Sequence, residues 1–276
     1  MSFKTRRMKN TLFILAFFTL LFCKKSSEVE KVTEEITDTM SIASEEKEVI
    51  PIENNIQEKE GNDFEILLPS RYRDWENANA ADVLNQSWIE LYEKNGKYFL
   101  GQADYKITRG FDECSGDSTK TIETKKKTLI LLEENQLKLG DIETVKFIKT
   151  KIWPSEKMTF KFNNVDYTLR AEGNVLSSEN VSTDDGTEVY KNVEKYRLYI
   201  SADKGSEHLF LKQESFNDTF VEILFIGDID RDGKLDFIFG ANRDYEEERV
   251  ILYLSSEAGE GKIIKKVSEI AVQFDC

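Results

Sequence analysis

From Phe64 onward, apolar positions recur with a period of two and are rich in β-branched and aromatic residues, which predicts strands. Met158, Phe160 and Phe162 alternate with Thr159 and Lys161, Asn163-Asn164 follows, and Val165, Tyr167 and Leu169 alternate again, which predicts a hairpin turning at the asparagine pair. Trp88–Tyr92, Lys94-Asn95-Gly96-Lys97 and Tyr98–Leu100 predict a second hairpin around Asn-Gly. Tyr196, Leu198 and Ile200 share one face of a further strand, followed by His208–Leu211. Val250–Leu254 is an unbroken apolar run, the pattern of a strand buried on both faces. A strand is also expected at Val145–Trp153, a long polar loop at Ser178–Lys191, and a short helix at Trp75–Leu84 with Asp74 as its cap. The fold class is therefore mostly β: antiparallel sheets in a sandwich or open barrel-like arrangement, with few short helices. The globular domain spans 64–276, and Pro154 marks a candidate joint between two halves.

The first 63 residues follow a different pattern. Residues 1–10 are basic and polar, and 11–22 are almost wholly apolar. Twelve residues make only about 18 Å of helix, short of a ~30 Å hydrocarbon core, so residues 1–22 are expected to be a signal peptide. Cys23 follows at once, with Leu20 three positions before it. This arrangement resembles the lipobox of bacterial lipoproteins. The resemblance implies that the Cys23 thiol receives a diacylglycerol and that the new N-terminus is acylated. Phe22 departs from the pattern, which has a small residue before the cysteine. Residues 23–63 are expected to be an acidic, disordered tether. Positions 24–62 hold 11 acidic and 5 basic residues, no aromatic residue and isolated apolar positions. Such a chain spans on average ~30–35 Å.

Composition narrows the chemistry. The formal charge is −14 in 276 residues. The signal segment carries Lys4, Arg6, Arg7 and Lys9 and no acid, so the chain beyond it stands at −18. That balance argues against nucleic acid as a partner, because phosphate binding needs a basic face. His208 is the sole histidine, which excludes any centre needing two imidazoles. With Cys23 acylated, Cys114 and Cys276 remain, and in an oxidising compartment they are a disulfide candidate. Free thiols and an intermolecular bond are the alternatives. The bridge would close a loop of 162 residues, for which chain entropy gives roughly 4–5 kcal/mol.

One motif carries specific chemistry. Asp228-Ile229-Asp230-Arg231-Asp232-Gly233-Lys234-Leu235-Asp236 reads D-x-D-x-D-G-x-x-D. Short carboxylates at loop positions 1, 3 and 5 converge on a point, and Gly233 permits the sharp turn at position 6. The Lys234 carbonyl and Asp236 then complete an oxygen shell suited to a hard cation, with Leu235 free to enter the core. Four carboxylates in nine residues repel one another unless a cation binds. The expected cofactor is Ca2+, with Asp228, Asp230, Asp232, Lys234 and Asp236 as ligands. The EF-hand pattern fails, since position 12 is Phe239 and both flanks read as strands. Strand, loop and strand, followed by Gly240-Ala241-Asn242 and another strand, resemble the integrin-type FG-GAP or VCBS repeat over about 221–254. In that family the aspartates of this loop bind calcium. A propeller needs several blades, and only one copy occurs here, so the loop and its ion are implied but the propeller is not.

Ser206, Glu207 and His208 are adjacent on an expected strand and point to opposite faces, so they cannot form a triad by themselves. No phosphate-binding glycine loop or G-x-S-x-G elbow occurs. The expectation is a lipid-anchored protein of the cell envelope, held to the outer membrane through the lipid on Cys23, with a calcium-stabilised β domain in a binding or structural role. A carboxylate-dependent envelope hydrolase and a surface adhesin are the alternatives.

Overall fold

Phe237, Ile238 and Phe239 are consecutive, and all three are fully buried. They lie in the middle of a sheet covered on both faces, so their side chains enter two different cores. This sheet organises the molecule. The computed structural model describes residues 63–76, 78–133, 136–183 and 186–274. All of them fall in one compact unit, Ile56–Cys276.

The strands are β1 (Ile66–Leu67), β2 (Arg71–Arg73), β3 (Ile89–Lys94), β4 (Lys97–Gln102), β5 (Tyr105–Asp112), β6 (Asp117–Thr124), β7 (Lys127–Leu132), β8 (Gly140–Ile142), β9 (Lys157–Phe162), β10 (Val165–Thr183), β11 (Gly186–Ala202), β12 (His208–Ser215), β13 (Glu222–Gly227), β14 (Asp236–Gly240), β15 (Glu247–Leu254) and β16 (Lys265–Gln273). They form four antiparallel sheets, ordered β1-β7-β3-β4-β8, β2-β6-β5, β12-β11-β10-β9 and β13-β14-β15-β16.

Register explains how the last sheet serves two cores. Phe225, Ile238 and Leu252 are cross-strand partners and enter a core with Leu91, Leu100 and Ile130 of the five-stranded sheet. Their neighbours Ile226, Phe237 and Tyr253 are also partners and enter a second core with Leu169, Leu198 and Phe210 of the β9–β12 sheet. Rings dominate this second core. Phe210 meets Phe237, Phe239 and Tyr253 edge to face, at centroid distances of 5.1, 5.1 and 4.5 Å.

Both expected hairpins form. Asn95 and Gly96 have φ of 55° and 72°, and Asn163 and Asn164 have 46° and 66°, the left-handed pair that two-residue hairpin loops require. Three local expectations are corrected. The helix at Trp75–Leu84 shrinks to one 3-10 turn at Ala80–Val83. Trp75 and Ala78 pair with each other in a bridge, and Asn79, not Asp74, caps the turn by accepting from the Ala81 N–H. Val145–Trp153 is not a strand. It lies irregularly along the outer edge of β13, with the Val145 N–H donating to the Ile226 carbonyl and the Ile223 N–H to the Thr150 carbonyl. Ser178–Lys191 is not a loop, because β10 and β11 stay paired out to Thr183 and Gly186. Apart from Tyr190, which packs on Trp153, its described residues lie largely exposed on a ribbon that projects past β9 and β12, so no apolar alternation is needed.

Phe237→Ala is expected to cost about 3–5 kcal/mol in urea unfolding, because the site is closed on all sides by rings. Phe111→Ala, at a position 62% exposed, should change stability by less than about 1 kcal/mol in the same measurement.

Candidate metal centre

The D-x-D-x-D-G-x-x-D segment is the turn between β13 and β14. Its two apolar residues fix its position. Ile229 is buried in the first core and Leu235 in the second. Between these anchors the backbone must turn sharply, and Gly233 does so at φ 85°. Gly227, just before the loop, is required for a different reason. A Cβ there would sit 2.6 Å from the Glu143 carbonyl oxygen, against which the chain packs.

Carboxylate oxygens of Asp228, Asp230 and Asp236 lie within 4.8 Å of one another. That spacing is no wider than the span between opposite ligands of a calcium ion, about 4.6–5.2 Å for bonds of ~2.3–2.6 Å. Asp236 is fully buried, and both its oxygens are held by donors. Oδ2 accepts from the Ile229 N–H at 2.7 Å, and Oδ1 from the Ser255 N–H at 2.8 Å and the Ser255 hydroxyl at 3.1 Å. Asp228 Oδ2 accepts from the Gly233 N–H at 3.0 Å, whereas Oδ1 is buried with no hydrogen-bond partner among the described residues. An orphaned carboxylate oxygen beside two other carboxylates lacks a positive partner, so the donor set fits a hard cation.

The electrostatics agree with that geometry. Burial pushes the Asp236 carboxyl well above the usual range, and the Asp230 charge adds to the shift, against the hydrogen bonds from Ser255 and Ile229. Burial also raises Asp228, helped by the charges of Asp230 and Asp232 and opposed by the backbone N–H groups of Gly233 and Arg231.

Asp232 stands apart from the three-carboxylate cluster. Its Oδ1 accepts from the Lys234 N–H at 2.8 Å and the Ser255 hydroxyl at 3.0 Å, and its Oδ2 pairs with Lys234 Nζ at 3.3 Å. The Lys234 side chain is thus committed to Asp232. Several supporting residues carry no local signal in the sequence. Ser255 and Ser256 follow β15 and reach the loop because β15 lies beside β14, with the Ser256 hydroxyl donating to Asp230. Arg231 donates to the carbonyls of Leu139 and Asp141, at 3.0 and 3.1 Å, and so ties the loop to the β8 region. Asn163 Nδ2 donates to the Gly233 carbonyl at 3.0 Å from the β9–β10 turn. Asn163 was legible as a turn residue, but its contact with the loop was not.

Cys114 is disulfide-bonded, and its partner lies outside the described residues. Cys23, Cys276, the signal-like segment and most of the tether also lie outside them. Glu207 is gripped by Arg170 through two bonds of 2.8 and 2.7 Å, which leaves His208 without an acid partner in its own segment.

The raised carboxyls set a pH dependence. Below about pH 4, near the ordinary aspartate value, these groups carry protons in both the folded and the unfolded chain. As pH rises, the unfolded chain ionises first, so the metal-free fold loses stability until its own raised pKa values are passed. A cation held by these carboxylates would remove this loss. The melting-temperature gap between calcium-loaded and metal-free protein is therefore expected to widen from about pH 5 to about pH 7.5 in calorimetry.

The chain matches no protein-family model, no curated protein and no solved structure.

Proposed function

We propose that this chain is a lipid-anchored protein of the cell envelope whose β domain is stabilised by calcium at the β13–β14 turn and serves a binding or structural role. The observation that carries the calcium reading is the orphaned, buried Oδ1 of Asp228, set among the carboxylates of Asp230 and Asp236. These three residues would hold the ion. The ion would supply the positive charge that lets buried carboxylates stay ionised at neutral pH. The loop's resemblance in sequence to the FG-GAP or VCBS turn supports the choice of ion. Extracellular calcium modules bind at about 10⁻⁴–10⁻³ M, so such a site would stay filled where calcium is near millimolar.

Anchoring rests on the lipobox-like run ending at Cys23. For the disulfide, Cys276 is the proposed partner of Cys114. Arg73 donates to the Phe274 carbonyl at 3.2 Å and, through Nε, to Asp112 Oδ2 at 3.1 Å. Asp112 Oδ1 in turn accepts from the Cys114 N–H at 3.1 Å, so the backbone two residues before Cys276 lies close to the Cys114 turn.

Asp228→Asn tests the calcium reading cleanly. The asparagine carbonyl can still accept from the Gly233 N–H, and its NH2 takes the place of the orphaned oxygen. Calorimetry of the full chain should show one calcium site, lost in the variant, while metal-free melting stays unchanged or rises. Equal heats of calcium uptake in the two proteins would refute the site. Cys23→Ala should move the protein from the membrane to the soluble fraction; retention in the membrane would refute the lipid anchor. Peptide mapping without reductant should recover a peptide joining Cys114 to Cys276.

A further inference from the structure

At the end of β14 opposite the metal loop lies a cavity of about 440 Å³. Four strand steps take the chain from Asp236 to Gly240, roughly 14 Å. Gly240, Leu224 and Val250 line the cavity, with the Leu224 side chain packed over Gly240. Tyr190 and Phe220 form one wall. Their positions are fixed, because Tyr190 meets Trp153 edge to face at 6.3 Å, Phe220 stacks on Trp153 at 4.0 Å, and the Tyr190 hydroxyl donates to the Thr219 carbonyl. Tyr245 stands at the rim, 60% exposed, on the β14–β15 connection.

Charge pairing around this cavity is lopsided. Both cations that line it are already paired, Lys151 with Glu222 at 3.0 Å and Arg249 with Glu269 at 3.0 Å. Asp218 and Glu248 also line it, and neither pairs with a cation among the described residues. Asp244 and Glu246 flank Tyr245. Asp244 accepts from the Glu246 N–H and from Asn217, and neither acid pairs with a cation among the described residues. Aromatic walls therefore combine with carboxylates that lack counterions. Rings attract cations through their electron-rich faces, and unpaired carboxylates add to that attraction. Neutral sugars would gain from the rings but would leave the carboxylates uncompensated, and anions would be repelled.

We propose that this cavity binds an organic cation: a ligand presenting a primary ammonium group to Glu248 and Asp218 and its aliphatic carbons to Tyr245 and Tyr190. The proposal is independent of the calcium reading, because none of the lining residues belongs to the metal loop. A lysine side chain of a peptide and a free polyamine share this chemistry.

The test is calorimetric titration of the full chain with Nα-acetyl-L-lysinamide and, separately, with spermidine, each with calcium and with EDTA. Tryptophan emission serves as a second readout, since Trp153 packs directly against the cavity wall. Saturable binding of at least one probe is expected, unaffected by EDTA. Tyr245→Ala should weaken it about two- to fivefold, and Glu248→Gln about fivefold or more. Both residues are partly exposed, so neither substitution opens a core. Binding of lysinamide alone identifies a peptide side chain as the source, and binding of spermidine alone a polyamine. Binding of both shows that the ammonium group itself is recognised. The proposal fails if neither probe saturates, if the Nε-acetylated lysinamide binds as well as the free amine, or if both variants bind like the parent chain.

Discussion

Mutual repulsion among carboxylates at one tight turn is the constraint on which the rest of this structure depends. Asp236 is buried at the mouth of a two-core sheet, where an isolated negative charge is costly. The fold surrounds it with N–H and hydroxyl donors and places Asp228 and Asp230 beside it. Donors alone leave one oxygen of Asp228 unmet. The turn is also where three sheets touch. Arg231 reaches the β8 region, Asn163 reaches in from the β9–β10 turn, and Ser255 and Ser256 arrive from the end of β15. Whatever satisfies the carboxylates therefore also sets how firmly these sheets are held together.

The central sheet explains why this turn has such reach. β14 and the Val250–Leu254 run of β15 show no polar alternation because water meets neither face there, and successive residues serve different cores. Ile229 and Leu235 carry that division into the loop itself, one residue in each core. Displacing the loop would disturb both cores at once.

Much of this was legible in the sequence, for identifiable reasons. Asn-Gly and Asn-Asn turns require left-handed backbone, and few residues other than these accept it, so both hairpins could be read directly. The run Val250–Leu254 announced a doubly buried strand. The spacing of the aspartates announced the loop, because its chemistry is local. Errors arose where structure is decided by distant partners. Ser178–Lys191 looks like a loop because a projecting ribbon has no core to demand apolar residues. Val145–Trp153 alternates like a strand yet follows the edge of β13 irregularly. Ser255, Ser256 and Arg231 reach the loop only through sheet order, which no short segment encodes.

The placement of β13–β16 after the other twelve strands has a consequence for biogenesis. The first twelve strands belong to one core or the other, but both cores are completed by the last four. An emerging polypeptide therefore displays two unfinished apolar faces until β13–β16 have been made. Pairings so distant in sequence form slowly, and the delay favours self-association. Neither core can close before β13–β16 are available to pair.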